Sequence, residues 1–192
     1  MFDPRNEMRF RRYCDRAFPA YRFTPGHTPH PTQDPRGHSY IEPNAVPPRV
    51  ERFPVDRWHE SADYRFGCDL YNHGYFWEAH EAWEGLWHAF ARESSAGRFL
   101  QGLIQTVAAQ LKLHLGRFDG VRRLRESSAS YLRSVAEETG DEVYMGLRIS
   151  KFLTGLDAYF GSGVSEPPAR RVHEAAFFPY LRLELPPAEP KS

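Results

Sequence analysis

Between Tyr75 and Trp87 the chain reads YFWEAHEAWEGLW, packing three tryptophans, three glutamates and a histidine into a single short stretch. At about 100° per residue, Phe76, Ala79, Trp83, Leu86, Trp87 and Phe90 fall within one arc of about 100°. The spacing predicts a helix over about Tyr75–Ala91 whose apolar face is unusually bulky. Trp77, His80, Glu81, Glu84 and His88 fill the sector beside that face. A helix that sets carboxylates and an imidazole next to its main packing residues implies either a polar network that fixes one packing or a binding site.

The rest of the chain is organised around this element. Ten of the 16 prolines lie in residues 1–54. Pro25, Pro29, Pro31 and Pro35 each remove a backbone donor and restrain the preceding residue, so regular helix cannot run there. Phe18, Tyr21, Phe23, Tyr40 and Ile41 give the segment anchors, and residues 1–54 read as an arm that packs on a helical domain. A short helix around Glu7–Phe18 is expected before it. From Asp56 to Tyr71, Trp58, Ala62, Phe66 and Leu70 form an inner stripe. Gly74 follows, placed for a left-handed cap. A third helix, about Arg98–Leu115, is apolar nearly all round and belongs in the middle of a bundle. Helices over about Phe118–Glu138 and Arg148–Phe160 complete residues 55–163, and residues 164–192 read as an extended tail. Short connections imply antiparallel neighbours. The expected class is all-α: an antiparallel bundle of about five helices with irregular arms at both ends.

Acidic and basic residues balance at 25 each, which argues against dedicated nucleic-acid binding or a charged membrane surface. The Arg122–Arg125 cluster reads as a solvated face. No stretch is long and apolar enough to span a membrane. Cys14 and Cys68, with no CxxC spacing, fit a reduced, cytoplasmic, soluble protein. A homo-oligomer stays open.

Several side chains have the type and spacing for chemistry. His80 and Glu84 are four apart on one helix face, and Glu81 stands three before Glu84. Such pairs reach a divalent metal, but a well-held ion needs further ligands. His114 on the third helix is one source. The arm, with His27, His30 and His38, is another. On the third helix Gln101 and Gln105 lie on one side and Gln110 and His114 on the other, and buried amides there require partners. His80, Glu81 and Glu84 are therefore the candidate catalytic residues, with Trp77, Gln101 and Gln105 as candidate ligand-binding residues. His80, Glu84, His114, His30 and His38 are the candidate metal ligands. Equally, Glu78, Glu81 and Glu84 sit where the helix dipole favours negative charge, and the whole set can serve as a structural network. No GxSxG elbow, phosphate-cradling loop or HExxH motif occurs.

With those residues in hand, the chain resembles the family catalogued as domain of unknown function 309. The resemblance rests on Tyr71, Asn72, Gly74, Phe76-Trp77-Glu78-Ala79-His80-Glu81, Trp83-Glu84 and Trp87, on Phe99-Leu100-Gln101-Gly102-Leu103-Ile104-Gln105, and on His114. It covers about residues 64–160. Pro29-His30-Pro31 and Gly37-His38-Ser39-Tyr40 resemble an N-terminal extension of longer members, and Pro179-Tyr180-Leu181-Arg182-Leu183 their C-terminal end. The resemblance implies an all-helical fold and brings no activity with it.

The expectation is a small-molecule or metal site where the EAHExxE and QGLIQ helices meet under the arm. Its chemistry would be acid–base or hydrolytic, since an imidazole titrates near neutrality and carboxylates are at hand. The competing expectation is a non-enzymatic interaction or scaffold module that meets a protein partner.

Overall fold

The computed structural model of the chain describes residues 11–45, 50–161 and 179–187. Among these, a 3-10 segment, Val55–Glu60, leads into five α-helices: α1 (Ala62–Asn72), α2 (Phe76–Ala89), α3 (Ser95–His114), α4 (Val121–Thr139) and α5 (Ile149–Phe160). A minimal hairpin, β1 (Val143–Tyr144) with β2 (Leu147–Arg148), joins α4 to α5. The fold is an all-α bundle in which α1 packs on α2, α2 on α3, and α3 on α4.

Local chemistry sets the helix ends. Gly74 takes φ 77°, its N–H donates to Tyr71 O, and the Tyr75 N–H reaches back to Leu70 O at 2.8 Å. That is a Schellman stop, and glycine carries the left-handed residue without a Cβ penalty. At the far end, Ser94 caps α3 by accepting the Gly97 N–H at 3.1 Å.

The core lies where the stripes meet. Trp83, Phe99, Leu100, Leu103, Val107, Leu132 and Val135 are all fully buried. Trp83 also explains Gly67 on α1, because a Cβ there would overlap the indole nitrogen. The two helices approach closely enough to sandwich that ring only because α1 is bare at this position.

Two extended segments clamp the α1 end of the bundle. Asn72 pairs with the tail backbone in both directions, donating Nδ2–H to Leu181 O and accepting the Leu181 N–H, each at 2.9 Å. Tyr13 of the arm donates its hydroxyl to the same Leu181 carbonyl and accepts the Leu183 N–H. Leu183 in turn bridges to Leu147 of the hairpin, which leaves Leu181 and Leu183 buried.

The structure corrects three expectations about elements. Residues 11–18 are not helical, and residues 7–10 lie outside the described residues. The Tyr13 and Cys14 amides that a helix would use donate instead to the Asp69 carboxylate, at 2.8 and 3.0 Å. The helix expected over Asp56–Tyr71 is interrupted at Ser61, whose hydroxyl accepts the Tyr64 N–H and caps a new helix. The hairpin was not expected. Its turn places Met145 at φ 45° and Gly146 at φ 77°, the left-handed pair that a two-residue hairpin loop requires. Residues 164–178 and 188–192 of the expected tail lie outside the described residues.

Candidate functional site

The arm meets the helices at two buried carboxylates. Asp69 is fully enclosed on α1 and is satisfied by the Tyr13 and Cys14 amides, with Arg12 at 3.7 Å. Burial pushes its carboxyl above the usual range, and the two amides pull it back. Nothing is left over at Asp69, and it acts as a latch.

Glu78, in the first turn of α2, is different. Its Oε1 accepts the Phe23 N–H at 2.7 Å and lies 3.1 Å from His38 Nε2. Its Oε2 is buried and has no hydrogen-bond partner among the described residues. The side chains of His38 and Glu78 are only 7% and 4% exposed.

His38 reaches Glu78 because the loop that bears it is stiff. Asp34 N–H closes on His30 O, Ser39 N–H on Pro31 O, and Tyr40 N–H on Gly37 O. The Tyr21 hydroxyl accepts the His38 N–H and donates to Pro29 O. The imidazole packs on the Tyr21 ring at 4.6 Å. Its Nδ1 lies 2.8 Å from the Ser39 hydroxyl. In the tautomer that donates Nε2–H to Glu78, Nδ1 accepts the serine proton. Ser39, His38 and Glu78 therefore form one hydrogen-bonded line.

Glu78, His38 and Ser39 line a cleft of about 500 Å³ between the arm and the α1–α2 hairpin. Phe66 and Leu70 of α1, Trp77 and Ala82 of α2, and Pro19 and Val50 supply its apolar wall. Arg16, Asp63 and Glu81 complete it. Trp77 is held edge-on by Phe23 at 5.3 Å and by His30 at 5.6 Å.

The neighbouring flank of α2 carries a second group. One ligand atom each from His80, Glu81 and Glu84 lie within 4.8 Å of one another. His80 Nδ1 is 3.4 Å from Glu81 Oε1 and 3.9 Å from Glu84 Oε2. All three side chains are well hydrated, at 29%, 42% and 42% exposure.

Residues 64–124, from within α1 to the first turn of α4, match the model of a family described as Domain of unknown function (DUF309). The chain carries a DUF309 domain. No curated protein is significantly similar to it. The DUF309 match takes in Glu78, Trp77 and the His80–Glu81–Glu84 group, whereas His38 and Ser39 belong to the arm outside it.

The candidate residues are distributed as follows. Glu81 and Trp77 face the cleft, and His80 and Glu84 stand beside it. Of the expected arm ligands, His38 lies on Glu78, and His30 packs on Trp77 with its Nδ1 turned to the Thr32 and Gln33 amides. His114 lies against Phe76 at 5.0 Å and 3.4 Å from the Tyr159 hydroxyl. Neither arm histidine nor His114 joins the His80 group among the described residues. On α3 of the DUF309 domain, Gln101 is half-buried and Gln105 buries an Oε1 with no partner among the described residues. Gln110, fully buried, donates to the Tyr71 hydroxyl, which donates to Pro179 O.

The cleft thus opens on the α1 side of α2, while sequence reasoning looked toward α3. It also missed Glu78 as a site residue. The available signal was Gly37-His38-Ser39-Tyr40, a stiff loop bringing an imidazole to a helix whose first turn offers a carboxylate.

Proposed function

We propose that this protein binds a small molecule in the cleft between its arm and the α1–α2 hairpin, with Glu78 as the selecting group. The observation that carries this reading is Glu78, which lines a 500 Å³ cleft and whose buried Oε2 has no partner among the described residues. A buried acceptor left unmade costs about 1–3 kcal/mol, and more when charged. A ligand donor seated there removes that cost. The cleft is of the size at which small-molecule sites occur, and its mix of apolar wall and few polar groups is the usual one.

The His38–Glu78 pair adds acid–base capacity. With Nε2 on Glu78 and Nδ1 on the Ser39 hydroxyl, the imidazole can exchange a proton with a bound ligand or a water through that hydroxyl, the step that hydrolytic chemistry needs. Ser39, bonded to His38 Nδ1, extends the line to an exposed hydroxyl. A divalent cation at His80, Glu81 and Glu84 is a second reading, supported by the convergence of three ligand atoms within 4.8 Å. A cytoplasmic location fits the free thiols of Cys14 and Cys68.

The test is a fragment screen by protein-observed NMR on the full chain, repeated on Ala82→Phe, which fills the cleft. Binding in the wild type that disappears in Ala82→Phe supports the reading. Fragments that bind both equally, or none that binds, leave the interaction-module reading in possession. Metal analysis of untagged protein, compared with His80→Ala, decides the second reading.

A further inference from the structure

We infer that the ligand of this cleft is an organic cation: an ammonium or guanidinium group carried on a compact apolar body. The inference rests on the reading that the cleft binds a small molecule, and it specifies the chemistry that enters.

The first ground is charge. Among the described residues, three carboxylates line the cleft, those of Asp63, Glu78 and Glu81, against one guanidinium, that of Arg16. Arg16 is already committed. Its Nη2 lies 2.8 Å from Asp63 Oδ1, and its guanidinium covers the Phe66 ring at 4.7 Å. That pairing cancels Asp63 and leaves Glu78 in the interior and Glu81 at the solvated edge. His38 and His80 each face one of these carboxylates, so the histidines can at most balance the cleft and never make it cationic.

The second ground is hydrogen-bond polarity. An ionised carboxylate oxygen only accepts. Oε1 of Glu78 is taken by Phe23 and His38, and Oε2 is the buried atom that remains. It requires a donor. An anionic ligand would place like charge against a desolvated carboxylate, and a ligand bearing only acceptors would leave Oε2 unmet. A charged N–H donor forms a bond roughly twice as strong as a neutral one.

The third ground is the rest of the wall. Phe66, Leu70, Val50 and Ala82 offer no partner to a polar body, so the cation must carry hydrocarbon. The Trp77 ring on the same wall suits a cation, because its π face attracts positive charge. A metal ion or a polyol satisfies the charge or the donor requirement but not the apolar wall.

Three probes of one shape separate the possibilities: benzylamine, benzyl alcohol and phenylacetate, each titrated into the full chain at neutral pH and followed by NMR at the Trp77 indole and Ser39 amide signals. Benzylamine is expected to bind about tenfold or more tightly than benzyl alcohol, and phenylacetate not to bind. In Glu78→Gln the amide oxygen can still receive Phe23 and His38 while an NH2 replaces Oε2. This variant is expected to keep its melting temperature and lose the preference for benzylamine. Benzyl alcohol or phenylacetate binding the wild type as well as benzylamine overturns the cation inference and leaves the cleft reading standing. No probe of any charge shifting those signals overturns both. The ranking of the three probes on the wild type decides the matter even where the variant does not fold.

Discussion

α2 presents two acid–histidine groupings one turn apart, and they differ in everything except residue type. Glu78 meets His38 under the arm, where both side chains are almost wholly enclosed. His80 meets Glu81 and Glu84 on the open flank, where water solvates all three. Exposed ion pairs contribute about 0–1 kcal/mol and are screened by salt. An enclosed pair must be held by fixed partners, because losing one leaves the other buried and unmet. The arm, and not the helix, makes this difference. Phe23 and His38 bring a backbone amide and an imidazole onto one carboxylate from positions 55 and 40 residues away. Composition along a helix names groups that are able to react. What covers the helix decides which of them acquires a defined geometry.

The comparison can be broken at several depths. The largest effect is expected at the core on which both flanks stand: Trp83→Ala should destabilise the bundle by about 3–5 kcal/mol in denaturant unfolding. An unchanged midpoint would mean that α2 is rotated away from the arrangement described, and the two flanks would exchange meaning.

Glu78→Ala comes next. It strands the Phe23 amide and His38, and a loss of about 1–3 kcal/mol is expected. Glu81→Ala or Glu84→Ala should stay within about 0.5 kcal/mol. Equal losses on both flanks would erase the distinction.

The smallest effect concerns pH. Burial holds the His73 imidazole below its ordinary pKa, while its Nδ1–H donates to Asp69 O at 2.8 Å. The unfolded chain takes up this proton below about pH 6.5, but the folded chain resists it. The His73 contribution is therefore complete above that pH and is lost as pH falls. The melting temperature of the wild type should drop more steeply from pH 7 to 5 than that of His73→Gln. The difference isolates the histidine, since Asp69, whose carboxyl is raised, is common to both. Parallel profiles would place His73 in water.

Much of the bundle was legible because its signals are local. The α2 stripe, the all-round apolarity of α3 and the stop at Gly74 each follow from residues within a few turns of one another. The break at Ser61 was hidden because Trp58 and Ala62 continue the apolar period across it. A hairpin of two-residue strands is too short to carry any period. The irregular course of residues 11–18 depends on Asp69, more than 50 residues away. The site follows the same rule. Trp77, Glu81, His38 and the His80 group could be named from spacing and type. Glu78 looked like an acid favoured by the helix dipole, because a wheel drawn for one helix contains no information about the segment laid over it. Asn72 is the counterpart at the other clamp: it is the last residue of α1, yet its amide holds the tail backbone through Leu181.

The central claim is that Glu78 is an enclosed carboxylate on which the arm is built. Hydrogen exchange at the Phe23 amide, compared among the wild type, Glu78→Gln and Glu78→Ala, tests it most directly. The account predicts strong protection in the wild type and in Glu78→Gln, and loss of protection in Glu78→Ala while the amides of α3 stay protected in all three. A Phe23 amide that exchanges at the rate of an open chain in the wild type would contradict it.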